Sequence, residues 1–230
     1  SVRFIRRERR RAWVVLGAGL VSLGAAFLLD KKYEMTSDLY PVNVCYNVVL
    51  AVERNARTLD YEETSKDFTF NAAATHPAED REIYVLVVGE TSRALNWSLY
   101  GYDRETNPKL SEVSGLTAFT NVLTQSNTTH KSVPMLMSAV SAENFDSIYH
   151  QKGIITAFKE AGFKTAFFSN QRYNNSFIDF FGKEADHYDF IKEDSLTAGQ
   201  NLSDDYLLAL VQEELAKGNR KQFIVLHTYG

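Results

Sequence analysis

The sequence contains almost no cysteine and little proline. Cys45 is the only cysteine among 230 residues, so this stretch can form no intrachain disulfide, and we expect Cys45 to be a small buried apolar residue rather than a reactive thiol. Four prolines and twelve glycines are spread without an internal repeat or a low-complexity tract. Because 44% of the residues are apolar, the chain has enough side chains for a packed core, and disorder is not the default expectation.

Charged residues are absent from a long stretch near the beginning of the chain. Residues 12–29 form an 18-residue run without Asp, Glu, Lys or Arg. A helix of that length covers ~27 Å, close to the thickness of the hydrocarbon core of a bilayer. The run therefore predicts a transmembrane helix. A signal peptide is the competing interpretation, but Phe27-Leu28-Leu29-Asp30 offers no small-x-small cleavage site.

The charges on the two sides of this run predict its orientation. Residues 1–11 hold six Arg and one Glu, whereas only Lys31 and Lys32 follow the run directly. By the positive-inside rule, residues 1–11 form a cytoplasmic basic segment and everything after residue 30 lies outside. The first residue is Ser, and Gly230 comes directly after an apolar strand, so we expect both ends to continue in a longer protein.

The rest of the chain divides where its hydrophobic pattern changes. Apolar residues recur at helical spacing between residues 42 and 53, and residues 54–80 are polar without a sustained period. Residues 30–80 are therefore predicted to be a membrane-proximal helix and linker, and residues 81–230 a separate outer domain.

The outer domain carries the pattern of an α/β fold. Short apolar runs predict strands buried on both faces at residues 83–88, 164–169 and 223–226. Segments with helical periodicity precede the second and third of these strands, at residues 154–161 and 204–217. Ser203 is a plausible N-cap of the later helix and Gly218 its stop. This alternation predicts a mostly parallel sheet with helices on both faces.

Polar side chains follow each of the three predicted strands. Glu90 follows the first, the Asn170-Gln171 pair follows the second, and His227 follows the third. Because ligands of parallel α/β sheets bind at the carboxyl ends of the strands, we expect these side chains to meet at one edge.

Glu90 and Thr129 form the candidate active site. Thr129 lies thirty-nine residues after Glu90, in a Thr-rich segment that leads into a predicted helix containing Pro134. A hydroxyl at neutral pH is a weak nucleophile, and a zinc ion with Glu90 as an oxygen ligand would activate it. From spacing alone, the alternative fits better: a helix cap at Thr128, Thr129 or Ser132, with Glu90 as a surface carboxylate.

An ordered set of motifs reverses that preference. Gly89-Glu90-Thr91-Ser92-Arg93, the Tyr100 to Pro108 segment (Tyr-Gly-Tyr-Asp-Arg-Glu-Thr-Asn-Pro), Thr129 and Ser132-Val133-Pro134 together resemble the phosphoethanolamine transferases, of the lipid A type, of the alkaline phosphatase/sulfatase superfamily. The resemblance implies a zinc-dependent enzyme of a Gram-negative inner membrane with its catalytic domain in the periplasm. It runs from the predicted span to Gly230 and looks like the last span plus the first half of the outer domain.

The resemblance assigns roles residue by residue. Glu90 matches the family's glutamate zinc ligand, and Thr129 matches the threonine that binds zinc and becomes phosphorylated. Asn170 and Gln171 fall near the family's substrate-binding residues, although capping a strand end suits them equally well. His227 precedes the position of the family's substrate-site histidine and is expected close to the site.

Three features depart from the family pattern. The later Asp-His pair and the further histidine ligands are expected after Gly230, so residues 1–230 alone should be inactive. The disulfide framework of many relatives is missing. Asp186-His187 is out of order and is expected to be an exposed polar turn, and His76, His130 and His150 have no metal-like spacing.

The reaction implied by the resemblance has two steps. Thr129 attacks phosphatidylethanolamine and releases diacylglycerol, and a lipid A or other glycan acceptor then takes the phosphoethanolamine group. Both partners belong to a membrane, and no nucleic acid is expected. A sulfatase would need a Cys/Ser-x-Pro-x-Arg motif. A phosphoglycerol transferase of the lipoteichoic-acid synthase type and a non-catalytic membrane-anchored binding domain remain the alternatives.

Overall fold

The computed structural model describes residues 2–33, 40–192 and 202–229. The chain forms two compact units, Ser1–Glu62 and Glu63–Gly230. The domain boundaries predicted from the sequence stay predictions.

The first unit is helical. Helix α1 spans Val2–Tyr33 and helix α2 spans Val42–Leu59, beyond the predicted end at Glu53. An ion pair of 2.6 Å joins Glu53, at the predicted end, to Arg57, one turn further along α2. Cys45 is exposed on α2, so the expectation of a buried cysteine is wrong.

Helix α1 contains the whole charge-free run. Within the described ranges, no helix combines the length and the apolar character needed to cross a membrane. The predicted transmembrane helix is therefore not confirmed.

The second unit is built on a four-stranded sheet. Its strands are β1 (Glu82–Val88), β2 (Lys164–Ser169), β3 (His187–Phe190) and β4 (Lys221–His227), in the order β1-β4-β2-β3. All three neighbouring pairs are parallel. The mostly parallel sheet and its three predicted strands are confirmed.

Strand β3 was not predicted, and it corrects half of the interpretation of Asp186-His187 as an exposed turn: Asp186 is exposed in the bend before the strand, but His187 belongs to β3. His187 begins the strand and pairs with Ala166, and Asp186 accepts hydrogen bonds from the backbone and the hydroxyl of Thr165. The strand has four residues, of which only Phe190 is buried, so it lacks the apolar run that identifies a central strand.

Helix α3 (Tyr61–Thr64) spans the boundary between the two units. The other helices of the second unit lie between its strands, and the last three pack against the sheet: α4 (Pro108–Ser111), α5 (Thr129–Leu136), α6 (Ile154–Glu160), α7 (Phe177–Lys183) and α8 (Tyr206–Ala216). Short 3-10 helices lie at Ala94–Asn96, Ser98–Tyr100 and Ala142–His150. The predicted helices before β2 and β4 are confirmed, with α8 two residues shorter at its start and stopped by Gly218 at φ 71°.

Both faces of the sheet are covered, as predicted. On one face, Phe168 and Ile224 pack against Leu207 of α8. On the other face, Phe158 of α6 stacks on Phe223 with ring centroids 3.9 Å apart. Burial of these side chains on both sides of a parallel sheet supplies the main stabilisation of the unit.

The carboxyl ends of three strands lie side by side. His227 at the end of β4 pairs with Val88 of β1 on one side and with Ser169 of β2 on the other. Backbone bonds continue past the strands, since the Asn170 N–H donates to His227 and the Thr228 N–H donates to Val88. The segments that follow these strands therefore start at neighbouring points of one edge.

A charged cluster joins β1 and β4 at the opposite, amino edge. Lys221 of β4 pairs with Glu82 of β1, and Tyr84 and His76 contact the second oxygen of the same carboxylate at 3.0 and 3.3 Å. The Lys221 hydrogen bond is the main reason that the pKa of Glu82 falls from 4.5 to about 2, although partial desolvation acts against it.

This cluster predicts an acid-sensitive contribution to stability. Because the pKa of Glu82 is lower in the folded protein than the ordinary 4.5, its contribution is complete above pH 4.5 and is lost as the pH falls toward about 2. We expect Glu82→Gln to flatten the fall of the free energy of unfolding over that range, measured by urea unfolding at a series of pH values. Glu63→Gln, on an exposed carboxylate paired with Lys66, is the control, and an equal flattening by both variants would contradict the assignment.

Candidate active site

Thr129 and Glu90 meet in the folded second unit. The Thr129 hydroxyl lies 2.9 Å from Oε1 of Glu90 and 3.1 Å from Oε2, so it donates its proton to the carboxylate. Both side chains are half-buried. The two groups that the sequence indicated are thus close enough to bind the same cation, although they lie thirty-nine residues apart along the chain.

Glu90 is placed by the abrupt end of β1. The apolar strand ends at Val88, and the chain turns at Thr91, whose φ is 48°. A β-branched residue in the left-handed region is unusual and costs on the order of 1–3 kcal/mol. Such a conformation persists only where its surroundings enforce it, and here it lies directly beside the carboxylate.

Thr129 is placed by the start of helix α5, of which it is the first residue. Thr128 has an extended backbone, and its carbonyl accepts from the N–H groups of Lys131 and Ser132. Its side chain makes no capping hydrogen bond with the helix and lies 3.2 Å from the hydroxyl of Ser126 instead. Thr128 therefore occupies the N-cap position, as spacing alone favoured, but without a side-chain cap, and the hydroxyl of Thr129 is directed to Glu90.

His227 lies between the candidate site and the core. Only 2% of it is exposed, Nδ1 is 3.3 Å from the Ser169 hydroxyl, and Nε2 is buried without a hydrogen bond from any described residue. Burial lowers the pKa of His227, while the negative charges of Glu90 and Asp204 act in the opposite direction. His227 therefore has an unsatisfied nitrogen near Glu90, as its position directly after the predicted strand at residues 223–226 suggested.

Asn170 and Gln171 fasten the strand ends. Asn170 is fully buried, and its amide donates to the Leu202 carbonyl at 2.9 Å and to Asp204 at 2.8 Å. Gln171 donates to the carbonyl of Thr228 at 2.9 Å. These are the contacts of strand-end caps, and the predicted role of the pair in substrate binding stays a prediction.

The described residues offer two metal donors at this point. A tetrahedral zinc site with bonds of ~2 Å separates neighbouring donor atoms by about 3.3 Å, close to the distances between Thr129 and Glu90. The oxygen donors thus fit one side of a zinc site. Within the described part of the chain, no group of three or more His, Cys, Asp or Glu side chains is arranged to hold a metal.

Asp204 is a residue of this edge that the sequence did not identify. It was expected only as a residue in the first turn of a helix, whereas its carboxylate accepts hydrogen bonds from the Asn170 amide and from the backbone N–H of Tyr229, both at 2.8 Å. The pairing depends on how the loop before α8 returns to the sheet, and a single sequence carries no signal for that.

The contacts of Asn170 predict a loss of stability on substitution. We expect Asn170→Ala to lower the free energy of unfolding by about 1–3 kcal/mol, because it removes the buried hydrogen bond to the Leu202 carbonyl and one hydrogen bond to Asp204, which keeps that from the Tyr229 N–H. Gln171→Ala, which removes one half-buried hydrogen bond, should have a smaller effect. Urea unfolding compares the two, and an unchanged stability in Asn170→Ala would show that the side chain is not retained for this structural role.

The sequence matches a known family over most of the second unit. The sulfatase family model matches residues 82–230. Among curated proteins, phosphoethanolamine transferase CptA of Salmonella typhimurium strain LT2 is 29% identical over 162 residues, 67% of this chain and 28% of CptA. Phosphatidylethanolamine transferase Mcr-1 of Escherichia coli is 36% identical over 96 residues, 39% of this chain and 18% of Mcr-1.

Solved structures show the same similarity. The C-terminal periplasmic domain of Escherichia coli EptC, in complex with Zn, superposes with a TM-score of 0.61 at 28% identity over 69% of this chain and 47% of that chain. The integral membrane protein lipooligosaccharide phosphoethanolamine transferase A of Neisseria meningitidis gives 0.66 at 25% identity over 94% of this chain and 43% of that chain. The present chain thus spans less than half of each relative.

Proposed function

The chain belongs to the sulfatase family, and we propose from this premise that the protein is a membrane-anchored, zinc-dependent transferase that moves phosphoethanolamine from phosphatidylethanolamine to a lipid A or other glycan acceptor. The observation that carries the proposal is the pair of hydrogen bonds between Thr129 and Glu90. The names of the relatives, phosphoethanolamine transferases from several bacteria, support this headgroup over phosphoglycerol.

Membership of the family does not make the protein a sulfatase. Ser132-Val133-Pro134 is the nearest approach to a Cys/Ser-x-Pro-x-Arg motif in this region, and it continues with Met135 and Leu136 instead of arginine. The hydroxyl that is directed to Glu90 belongs to Thr129, three residues before Ser132. The geometry therefore favours Thr129 as the nucleophile of a transfer reaction.

The first step uses the hydroxyl of Thr129. Its oxygen forms a bond to the phosphorus of phosphatidylethanolamine, the bond from phosphorus to the glycerol oxygen breaks, and diacylglycerol leaves with a proton. Glu90 accepts the hydrogen bond of Thr129 and so orients the hydroxyl and favours its loss of the proton. Thr129 also lies at the start of helix α5, whose positive end favours an anionic phosphate there.

The second step returns the enzyme to its starting state. An acceptor phosphate or hydroxyl attacks the phosphoethanolamine-threonine, the new ester forms on the acceptor, and Thr129 recovers its proton. A zinc ion held by Glu90 and Thr129 would lower the pKa of the hydroxyl and offset negative charge on the phosphate oxygens in both steps. The zinc complex of EptC supports this choice of metal, and the further ligands are proposed to come from parts of the protein outside residues 1–230.

Anchoring at the inner membrane is supported by the first unit. The side chains of Trp13, Val14, Val15, Val21 and Leu28 are each more than 70% exposed on α1. A contiguous set of exposed apolar side chains is unfavourable in water and is typical of a membrane or protein contact surface. Together with the arginine-rich residues 1–11, this favours a periplasmic second unit, where an anchor would hold the enzyme beside its lipid-borne substrates.

An intact-mass experiment tests the proposed first step. The full-length protein, incubated with phosphatidylethanolamine and without acceptor, should gain one phosphoethanolamine group on Thr129, and Thr129→Ala should gain none. Thr128→Ala, which removes the neighbouring hydroxyl, is the matched control and should form the adduct at the normal rate. An adduct of equal amount on Thr129→Ala, or no adduct on the unaltered protein, would reject the proposal.

A further inference from the structure

Strand β1 has the sequence of a central strand but lies at one end of the sheet. Residues 83–88 form an unbroken apolar run, which is the pattern of a strand covered on both faces. In the order β1-β4-β2-β3, β1 pairs with β4 on one side and, among the described residues, with no strand on the other. Because a long apolar edge strand readily pairs with further chain, this free side of β1 is a candidate interaction surface.

The free side of β1 presents backbone donors and acceptors at alternate residues. The Glu82 N–H donates to the residue before β4, and the Val88 carbonyl accepts from the residue after β4. In a parallel pair, residues that bond to the neighbouring strand alternate with residues whose backbone groups face away from it. The even-numbered residues of β1 therefore bond to β4. Ile83, Val85 and Val87 direct their N–H and C=O groups to the free side.

One face of β1 is also uncovered. Val85 and Val87 pair with Ile224 and Leu226 of β4, which pack against α8, so all four side chains point to the face that carries α8. Val85 is 45% and Val87 58% exposed, whereas every residue of β4 is buried. On the opposite face, the ring of Tyr84 lies against α6. Helix α8 thus covers β4 and leaves the same face of β1 open.

The direction of the existing connections predicts what covers this open face. Parallel strands are joined by right-handed crossovers, so connections that run in opposite directions along the sheet place their helices on opposite faces. The connection from β1 to β2 places α6 on one face, and the connection from β3 to β4, which runs the other way, places α8 on the second face. A connection from β4 to a new strand beside β1 would run in the same direction as that from β3 to β4. Its helix would therefore lie beside α8, over Val85 and Val87.

We propose that the free side of β1 is covered in the full-length protein by a crossover helix and a parallel strand from the part of the protein outside residues 1–230. The chain spans 47% of the EptC domain and 43% of the Neisseria protein, so relatives of this size have enough sequence for both elements. The helix buries Val85 and Val87, and the strand bonds to the backbone of Ile83, Val85 and Val87. Because parallel strands end at the same edge, the added strand ends next to Glu90.

Photo-crosslinking in the full-length protein identifies what covers the open face. A benzophenone amino acid replaces Val87 or, as a matched control on the opposite face of the same strand, Tyr84. The control should link to α6. From position 87 we expect an internal link to residues outside 1–230, located by mass spectrometry of the digested protein. A link to a second copy, to lipid or to residues within 1–230, or no link where the control does link, would overturn the proposal.

Hydrogen exchange of the unaltered full-length protein tests the added strand without any substitution. If a strand pairs with the free side, the amides of Ile83, Val85 and Val87 should exchange within about tenfold of the rates of Tyr84 and Leu86. The rates are resolved for single residues by fragmentation in the mass spectrometer. A larger alternation, with the odd-numbered amides faster, would show an open edge and overturn the proposal.

The outcomes are distinguishable from a failure of the proposed function, because neither measurement uses catalytic activity. Absence of a phosphoethanolamine adduct on Thr129 would reject the transferase and leave the covered edge of the sheet in place. An open β1 edge in a protein that does form the adduct would reject the covering helix and strand alone.

Discussion

The candidate site depends on one contact, between the Thr129 hydroxyl and the Glu90 carboxylate. Either residue alone has an ordinary structural explanation, because a strand commonly ends near a carboxylate and a helix commonly begins near a threonine. The structure gives the hydroxyl a different partner from its own helix, at 2.9 and 3.1 Å from the two carboxylate oxygens. That arrangement holds the proton acceptor, Glu90, beside the nucleophile, Thr129, before any substrate binds.

The parallel sheet makes this contact possible and adds neighbours to it. Strand β4 lies between β1 and β2, so the register of His227 with Val88 and Ser169 brings three strand ends to one edge. Asn170 and Asp204 then tie the loop before α8 to that edge. A site made of segments far apart along the chain is thereby held by the most buried part of the second unit.

The sequence predicted strands β1, β2 and β4 but not strand β3. The runs that form β1, β2 and β4 are apolar because both sides of those strands are covered, and that pattern is visible without a structure. Strand β3 has one buried residue, and the contacts of Asp204 join segments far apart along the chain, which leave no periodicity in the sequence. Motif resemblance rather than spacing indicated Glu90 and Thr129 as a site, since spacing favoured a helix cap. Thr128 does occupy the N-cap position, but the Thr129 hydroxyl bonds to Glu90.

The central claim is that Glu90 and Thr129 bind the same cation, and anomalous X-ray diffraction from crystals of the full-length protein tests it most directly. Data collected on both sides of the zinc absorption edge should show a single strong peak ~2 Å from an oxygen of Glu90 and from Oγ1 of Thr129. A zinc peak that contacts neither residue, or only one of them, in crystals that contain zinc would contradict the account.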